Sequence, residues 1–115
     1  MSGHASRVTT HVLDAVRGRP ARGVPVALDA RVGSGWERLA EARTDDDGRV
    51  AAFGPERLAA GVHPVVFDTG AWFAASGTES FYPEVVVAFR LDDEEAHFHI
   101  PLLLSPFAYS TYRGS

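Results

Sequence analysis

The sequence predicts an all-β domain with one short helix, folded as an antiparallel β-sandwich. Three observations support this prediction. Several short segments alternate apolar and polar residues with a period of two, as half-buried strands do. Turn sequences rich in Gly, Pro and Asp separate those segments at regular intervals. The chain has 115 residues, which suits a single domain with one hydrophobic core.

The first half of the chain contains four expected strands. They alternate in hydrophobicity or are rich in β-branched residues, and they cover residues 7–14, 24–32, 36–44 and 49–53. The sequence Gly-Ser-Gly at 33–35 predicts a turn between the second and third of them. The sequence Asp-Asp-Asp-Gly at 45–48 predicts an acidic turn before the fourth.

The second half contains the helix and four more expected strands, which cover residues 61–68, 83–91, 96–105 and 108–113. Pro64 confines its strand to a sheet edge or a bulge, because proline cannot donate a ladder hydrogen bond. The helix is expected at residues 69–76, with Asp68 or Thr69 as its N-cap and Gly77 at its end. The strands on either side of the acidic Asp-Asp-Glu-Glu segment are expected to form a hairpin.

Composition excludes several classes of function. The formal net charge is -4 and the chain lacks lysine, so no basic surface for nucleic acid is expected. The absence of cysteine excludes disulfides, thiolate zinc sites and a cysteine nucleophile. Apolar runs are too short to cross a membrane, and no apolar signal segment opens the sequence. We therefore expect a cytoplasmic protein with a disordered lead-in at residues 1–6 and one domain at residues 7–115.

Histidines are the first candidates for chemistry. His97 and His99 are two residues apart, so a strand would place both imidazoles on one face. Together with His11 they could form a zinc site with an open position. They could also perform metal-free acid-base catalysis on a water molecule. A solvated face of an edge strand is the third interpretation, and the histidines alone do not separate the three.

Arg49 directly follows the acidic turn. It could be a surface arginine paired with the nearby aspartates, which would contribute little to stability. It could instead present a planar pair of donors to a carbonyl or an anionic heterocycle. The sequence contains no Gly-x-Ser-x-Gly motif, no phosphate-binding loop and no dinucleotide fingerprint.

Taken together and in order, five fragments resemble the 5-hydroxyisourate hydrolases, the enzyme branch of the transthyretin-like family. The fragments are TTHVLD, GRPARGVPVAL, TDDDGR, the segment from FDTGAWFAASG to SFYPEVVVAF, and HFHIPLLLSPFAYSTYRGS. The resemblance extends from Arg7 to Ser115. It implies a transthyretin-like sandwich of two four-stranded sheets, and a homotetramer built as a dimer of dimers with active sites between the dimers. It also implies hydrolysis of 5-hydroxyisourate to 2-oxo-4-hydroxy-4-carboxy-5-ureidoimidazoline in urate catabolism, with no metal and no organic cofactor.

The resemblance also implies the site residues of this chain. The catalytic and substrate-binding positions that it assigns are His11, Arg49, His99, Tyr112 and Ser115. In the expected mechanism His11 and His99 position and deprotonate water, and Arg49 polarises the carbonyl. Tyr112 and the hydroxyl or carboxylate of Ser115 hold the ring and the water. The supporting positions are Arg113, Gly114 and His97.

Three alternatives belong to other classes. Transthyretin itself, a carrier of thyroid hormone, shares the expected fold but needs apolar channel walls rather than a set of catalytic side chains. A zinc hydrolase built on His11, His97 and His99 would lose activity on chelation. An interaction module would show no turnover. The joint presence of His11, Arg49, His99 and the terminal Tyr-Arg-Gly-Ser favours the hydrolase.

Overall fold

A computed structural model describes residues 7–55, 58–92 and 97–115. The lead-in predicted at residues 1–6 lies outside the described residues. Within the described ranges the chain forms nine strands and one helix. The strands are β1 Val8–Asp14, β2 Arg19–Pro20, β3 Pro25–Val32, β4 Gly35–Arg43, β5 Arg49–Phe53, β6 Gly61–Phe67, β7 Val85–Leu91, β8 Phe98–Leu104 and β9 Tyr109–Thr111. The helix α1 is Thr69–Ala75.

The strands form two sheets, which confirms the predicted sandwich with one short helix. One sheet has the order β4-β3-β6-β7. The other has the order β2-β1-β8-β9, with β5 also paired to β1. This second sheet has five strands instead of the four expected, because the two-residue strand β2 pairs with the end of β1.

One pair of strands departs from the antiparallel prediction. β1 and β8 run parallel in unbroken register, from Val8 beside Phe98 to Asp14 beside Leu104. The hairpin predicted between residues 83–91 and 96–105 is therefore wrong. β7 pairs with β6 in the four-stranded sheet, whereas β8 lies between β1 and β9 in the other. β8 is apolar along nearly its whole length, so a central position buries more of it than an edge would.

The core lies between the two sheets. Fully buried side chains from both sheets meet there, among them Leu28 and Phe67 from one sheet and Phe53 and Leu102 from the other. β1 alternates strictly between buried and half-buried positions, as a strand with one face on the core does. Its odd-numbered residues, from Thr9 to Leu13, therefore lie on the outer face of the five-stranded sheet.

Pro64 lies where β6 has only one neighbour. β6 pairs with β3 only from Val65 to Phe67, whereas its pairing with β7 continues through Pro64 without interruption. The proline thus occupies a locally edge-like position, as its missing N–H requires. The adjacent His63 is buried, with ring nitrogens 3.0 Å and 2.7 Å from the backbone oxygens of Asp29 and Ala59.

The helix ends as the sequence predicts. Gly77 has a φ of 69°, and the N–H groups of Gly77 and Thr78 donate to the carbonyls of Ala74 and Phe73. This is the Schellman arrangement, in which glycine accepts the left-handed conformation at no steric cost. At the other end, Asp68 is the N-cap but its side chain makes no capping hydrogen bond. No helix in the described residues is long and apolar enough to span a bilayer.

Candidate active site

The acidic turn places Arg49 beside His11. The Asp45 carboxylate accepts the backbone N–H groups of Asp47 and Arg49, each at 2.9 Å. The hydrogen bond from the Arg49 backbone holds the pKa of Asp45 below its ordinary value, and the nearby charges of Arg49 and His11 act in the same direction. These two hydrogen bonds fix the turn, and β5 begins directly after it at Arg49. Arg49 is directly opposite His11 in the antiparallel pair β1·β5.

Gly48 is the part of this turn that only glycine can occupy. Its φ is 75°, a conformation that side chains rarely adopt. A Cβ atom at this position would lie 2.4 Å from the backbone oxygen of Val12. Since the Gly48 carbonyl accepts the N–H of Val12 at 2.7 Å, the turn is held tightly against β1 at the residue after His11.

The parallel pair β1·β8 brings the first-strand motif beside the histidine motif. Thr9 is directly beside His99 in this register, and both side chains lie on the outer face of the sheet. The Thr9 hydroxyl oxygen is 2.8 Å from Nδ1 of His99 and 3.0 Å from Nε2 of His97. Thr9 thus joins the two histidines, a role that the sequence did not suggest.

The C-terminal tail is docked against His99. β9 pairs with β8 from Leu102 to Leu104, and the N–H of Gly114 donates to the carbonyl of His99 at 2.9 Å. A Cβ atom on residue 114 would lie 2.4 Å from Cδ2 of the His99 ring and 3.1 Å from Cγ of Pro101. Gly114 therefore lets the tail lie directly on the imidazole.

These segments line a small, open cavity on the outer face. Its volume is about 220 Å³, and its walls include Thr9, Arg49, Ala51, His97, His99 and Ser115. A second cavity of about 300 Å³ shares His99 and is lined by Tyr112 and Arg113 together with Phe89 and Phe98. The guanidinium carbon of Arg113 is 5.1 Å from the centre of the Phe98 ring, which fixes the tail by a cation–π contact.

The structure therefore brings together most, but not all, of the residues expected in the site. Arg49, His99 and Ser115 share one cavity with His97. Tyr112 is in the adjoining cavity and is 59% exposed in the single chain. His11 is half-buried on the same face beside Arg49 but is not part of either cavity wall.

The electrostatics of the cavity favour a neutral His99. Burial lowers the pKa of His99, and repulsion from Arg49, and from His11 and His97 when those rings are protonated, lowers it further. A neutral imidazole beside a fixed guanidinium can accept a proton from water while the guanidinium stabilises negative charge on a carbonyl oxygen. The arrangement is suited to attack of water on a planar, carbonyl-bearing molecule.

The histidines do not converge as a three-ligand metal site would require. Among the residues that the structure describes, no group of three His, Cys, Asp or Glu side chains is placed to hold a metal ion. His97 and His99 instead face the same threonine hydroxyl. The arrangement therefore does not support the alternative of a zinc site built on His11, His97 and His99.

The chain is similar in sequence and fold to known proteins. The model of the HIUase/Transthyretin family matches residues 8–114. A 5-hydroxyisourate hydrolase from Caulobacter vibrioides is 45% identical over 114 residues, covering 96% of this chain and 99% of the relative. The structure of Klebsiella pneumoniae 5-hydroxyisourate hydrolase superposes with a TM-score of 0.85 at 44% identity, over 96% of this chain and 99% of that one. Transthyretin from Sparus aurata superposes with a TM-score of 0.87 at 32% identity, over 94% and 96%.

Proposed function

Because the chain belongs to the HIUase/Transthyretin family, we propose that it is a 5-hydroxyisourate hydrolase that acts in urate catabolism. Curated 5-hydroxyisourate hydrolases are 40–45% identical to it over nearly its full length, in bacteria and in Mus musculus alike. Water would open the six-membered ring at an amide-like C–N bond and give 2-oxo-4-hydroxy-4-carboxy-5-ureidoimidazoline. The reaction would need neither a metal nor an organic cofactor.

One observation carries the proposal. Arg49, His99 and Ser115 come from three separate segments of the chain, and the fold brings them to the walls of one cavity. Each of them also lies in a motif on which the resemblance to the hydrolases rests. A surface that served only for packing would not need a guanidinium, an imidazole and a serine around an indentation of the sheet.

Each side chain has a role that its position supports. The neutral His99 imidazole accepts the proton of the attacking water, a step that typically contributes 10²- to 10⁴-fold in rate. The Arg49 guanidinium donates to the carbonyl under attack and stabilises the oxyanion that forms. Ser115 and Tyr112 hold the ring. His11, directly opposite Arg49, helps to position the water.

The site is proposed to be completed by assembly. A dimer of dimers that packs through the outer face of the five-stranded sheet would cover the cavity and exclude bulk water. Tyr112, at 59% exposure, would then be shielded beside the substrate. Sedimentation equilibrium of the purified chain should give about four times the chain mass of 12.4 kDa. A monomer at catalytic concentrations that retained full activity would contradict this arrangement.

A hormone carrier is the alternative with the same fold. A transthyretin from sea bream has been solved in complex with thyroxine, and its TM-score of 0.87 shows that the fold does not separate the two functions. The direct test is turnover. 5-Hydroxyisourate is generated from urate with urate oxidase, and its ultraviolet absorbance is followed with and without the purified protein. Faster decay supports the hydrolase, and decay at the spontaneous rate contradicts it.

A further inference from the structure

The hydroxyl of Thr9 lies between two imidazoles that would otherwise be independent. It is 2.8 Å from Nδ1 of His99 and 3.0 Å from Nε2 of His97, both within hydrogen-bonding distance. A threonine hydroxyl has one hydrogen, so it can donate to only one of these nitrogens. The nitrogen that accepts this hydrogen bond must be bare, that is, it carries no hydrogen of its own. The other nitrogen can then donate its own hydrogen to the Thr9 oxygen. The tautomers of the two histidines are therefore coupled through Thr9.

Two arrangements satisfy both contacts when the rings are neutral. In the first, Thr9 donates to His97, and Nδ1 of His99 carries a hydrogen that it donates to Thr9. Nε2 of His99 is then bare and can accept a proton. In the second, Thr9 donates to His99 and leaves Nε2 of His99 protonated, which disables it as a base. Only the first arrangement is compatible with removal of a proton from water by His99.

We propose that Thr9 is a positioning residue that holds His99 in the Nδ1–H tautomer, with His97 as the acceptor that orients the Thr9 hydroxyl. This inference rests on the proposed function in that it names how the base of that reaction is kept competent. Thr9 would act on His99 as a buried carboxylate acts on the histidine of a serine hydrolase, but without bringing a negative charge into the site.

The local backbone supports a purpose for Thr9 beyond strand packing. In the pair β1·β5, Val8 is opposite Phe53 and Thr10 is opposite Val50. Two residues, Ala51 and Ala52, therefore oppose the single residue Thr9, which is a β-bulge. Such a bulge commonly re-aims side chains next to active sites. The methyl side chain of Ala51 lines the same cavity, so the residues facing Thr9 leave room for the two imidazole rings.

The relative exposure of the histidines fits their different roles. His99 is half-buried and packed under Gly114, whereas His97 is exposed and immediately precedes β8. His97 can therefore exchange its ring hydrogens with water while it orients Thr9. When His99 gains a proton at Nε2, the hydrogen on Nδ1 remains hydrogen-bonded to the Thr9 oxygen, which stabilises the imidazolium without changing partners.

The test is a direct reading of the tautomer together with the kinetics. Nitrogen-15 spectra of uniformly labelled wild-type protein, recorded at a pH at which His99 is neutral, should show Nδ1 protonated and Nε2 bare. Thr9→Val removes the hydroxyl at nearly constant shape, and His99 should shift toward the Nε2–H form. We expect kcat to fall at least about 10-fold while KM stays within about threefold. Thr9→Ser should restore the Nδ1–H form and most of kcat.

Two further variants keep the test decisive. Thr78→Val removes a hydroxyl that is hydrogen-bonded to Ser76 at 3.0 Å and belongs to the wall of neither cavity, so it should change neither the tautomer nor kcat. His97→Ala removes the acceptor of Thr9 and should shift His99 in the same direction as Thr9→Val, even if the latter variant folds poorly. An Nε2–H tautomer in the wild-type protein, or unchanged spectra in both variants, would overturn the proposal. The spectra need no substrate, so they stand apart from any failure to hydrolyse 5-hydroxyisourate.

Discussion

Substitution of Gly114 by alanine should damage catalysis far more than folding. A Cβ atom at this position would lie 2.4 Å from Cδ2 of His99, whereas ordinary van der Waals contact begins at 3.4 Å. The imidazole or the tail must therefore move by about 1.0 Å, the difference between these two distances. A displacement of about 1 Å in a catalytic group can lower the rate on the order of 10²-fold, and we expect kcat to fall by that factor.

The expected cost in stability is small. If the tail lifts instead of the ring, the hydrogen bond from Gly114 to the His99 carbonyl is lost, which removes about 1 kcal/mol from the free energy of unfolding. For a domain of this size that corresponds to a fall of roughly 4 °C in Tm. Gly114 does not have a positive φ, so alanine adds no backbone strain of its own.

The assay compares ultraviolet decay of 5-hydroxyisourate with thermal unfolding followed by circular dichroism. Gly35→Ala is the matched control, because its nearest non-neighbouring atom within 4 Å, the backbone oxygen of Val32, is 3.9 Å from the added Cβ. The control should keep wild-type kcat. A Gly114→Ala protein that turns over at the wild-type rate would show that the tail does not position His99, and the reasoning would be wrong.

Changes to the tail, the pH, Arg49 and the metal content also have defined outcomes. Deletion of residues 113–115, or a bulky extension after Ser115, should abolish most turnover and leave the circular dichroism spectrum unchanged, because Arg113 and Ser115 line the two cavities and none of the three residues belongs to the buried core; equal loss of folding and activity would contradict this. Burial and repulsion from Arg49, His11 and His97 lower the pKa of His99. In the pH profile of kcat/KM, the midpoint of the acidic limb should therefore lie below the ordinary imidazole pKa of about 6.5. Arg49→Gln removes one of those charges and should move the limb of the residual activity to higher pH; a shift to lower pH would refute the assigned cause. Turnover should persist in excess EDTA after metal removal, and loss that zinc restores would revive the metal alternative.

The fold was largely predictable, because alternation and turn chemistry are local. The burial of β1 at every second residue and the left-handed Gly77 after α1 both follow from sequence patterns. The parallel pairing of β1 with β8 was not predictable in this way. This pairing joins residues 90 positions apart in the sequence. It depends on which of the two sheets buries more of the apolar strand β8, and that is decided only when the core assembles.

The candidate site was predictable only through the order of its motifs. His11, Arg49, His99 and Ser115 are each unremarkable in isolation, and the resemblance to the hydrolases selected them. Thr9 was missed because a threonine in a strand is an ordinary occupant of a pleated surface. The alternation of β1 already places Thr9 on the same face as His11. Only the pairing of β1 with β8, which puts His99 beside Thr9, shows that this threonine belongs to the candidate site.

The central claim is that this chain hydrolyses 5-hydroxyisourate with Arg49 and His99 in one cavity. The most direct measurement is the stopped-flow decay of enzymatically generated 5-hydroxyisourate in the presence of the wild-type protein, Arg49→Ala and His99→Ala, each first shown to be folded and equally assembled. The wild-type protein should accelerate the decay, and each variant should lose at least about 10²-fold of that acceleration. Wild-type protein that leaves the spontaneous rate unchanged, or variants as active as the wild type, would contradict the claim.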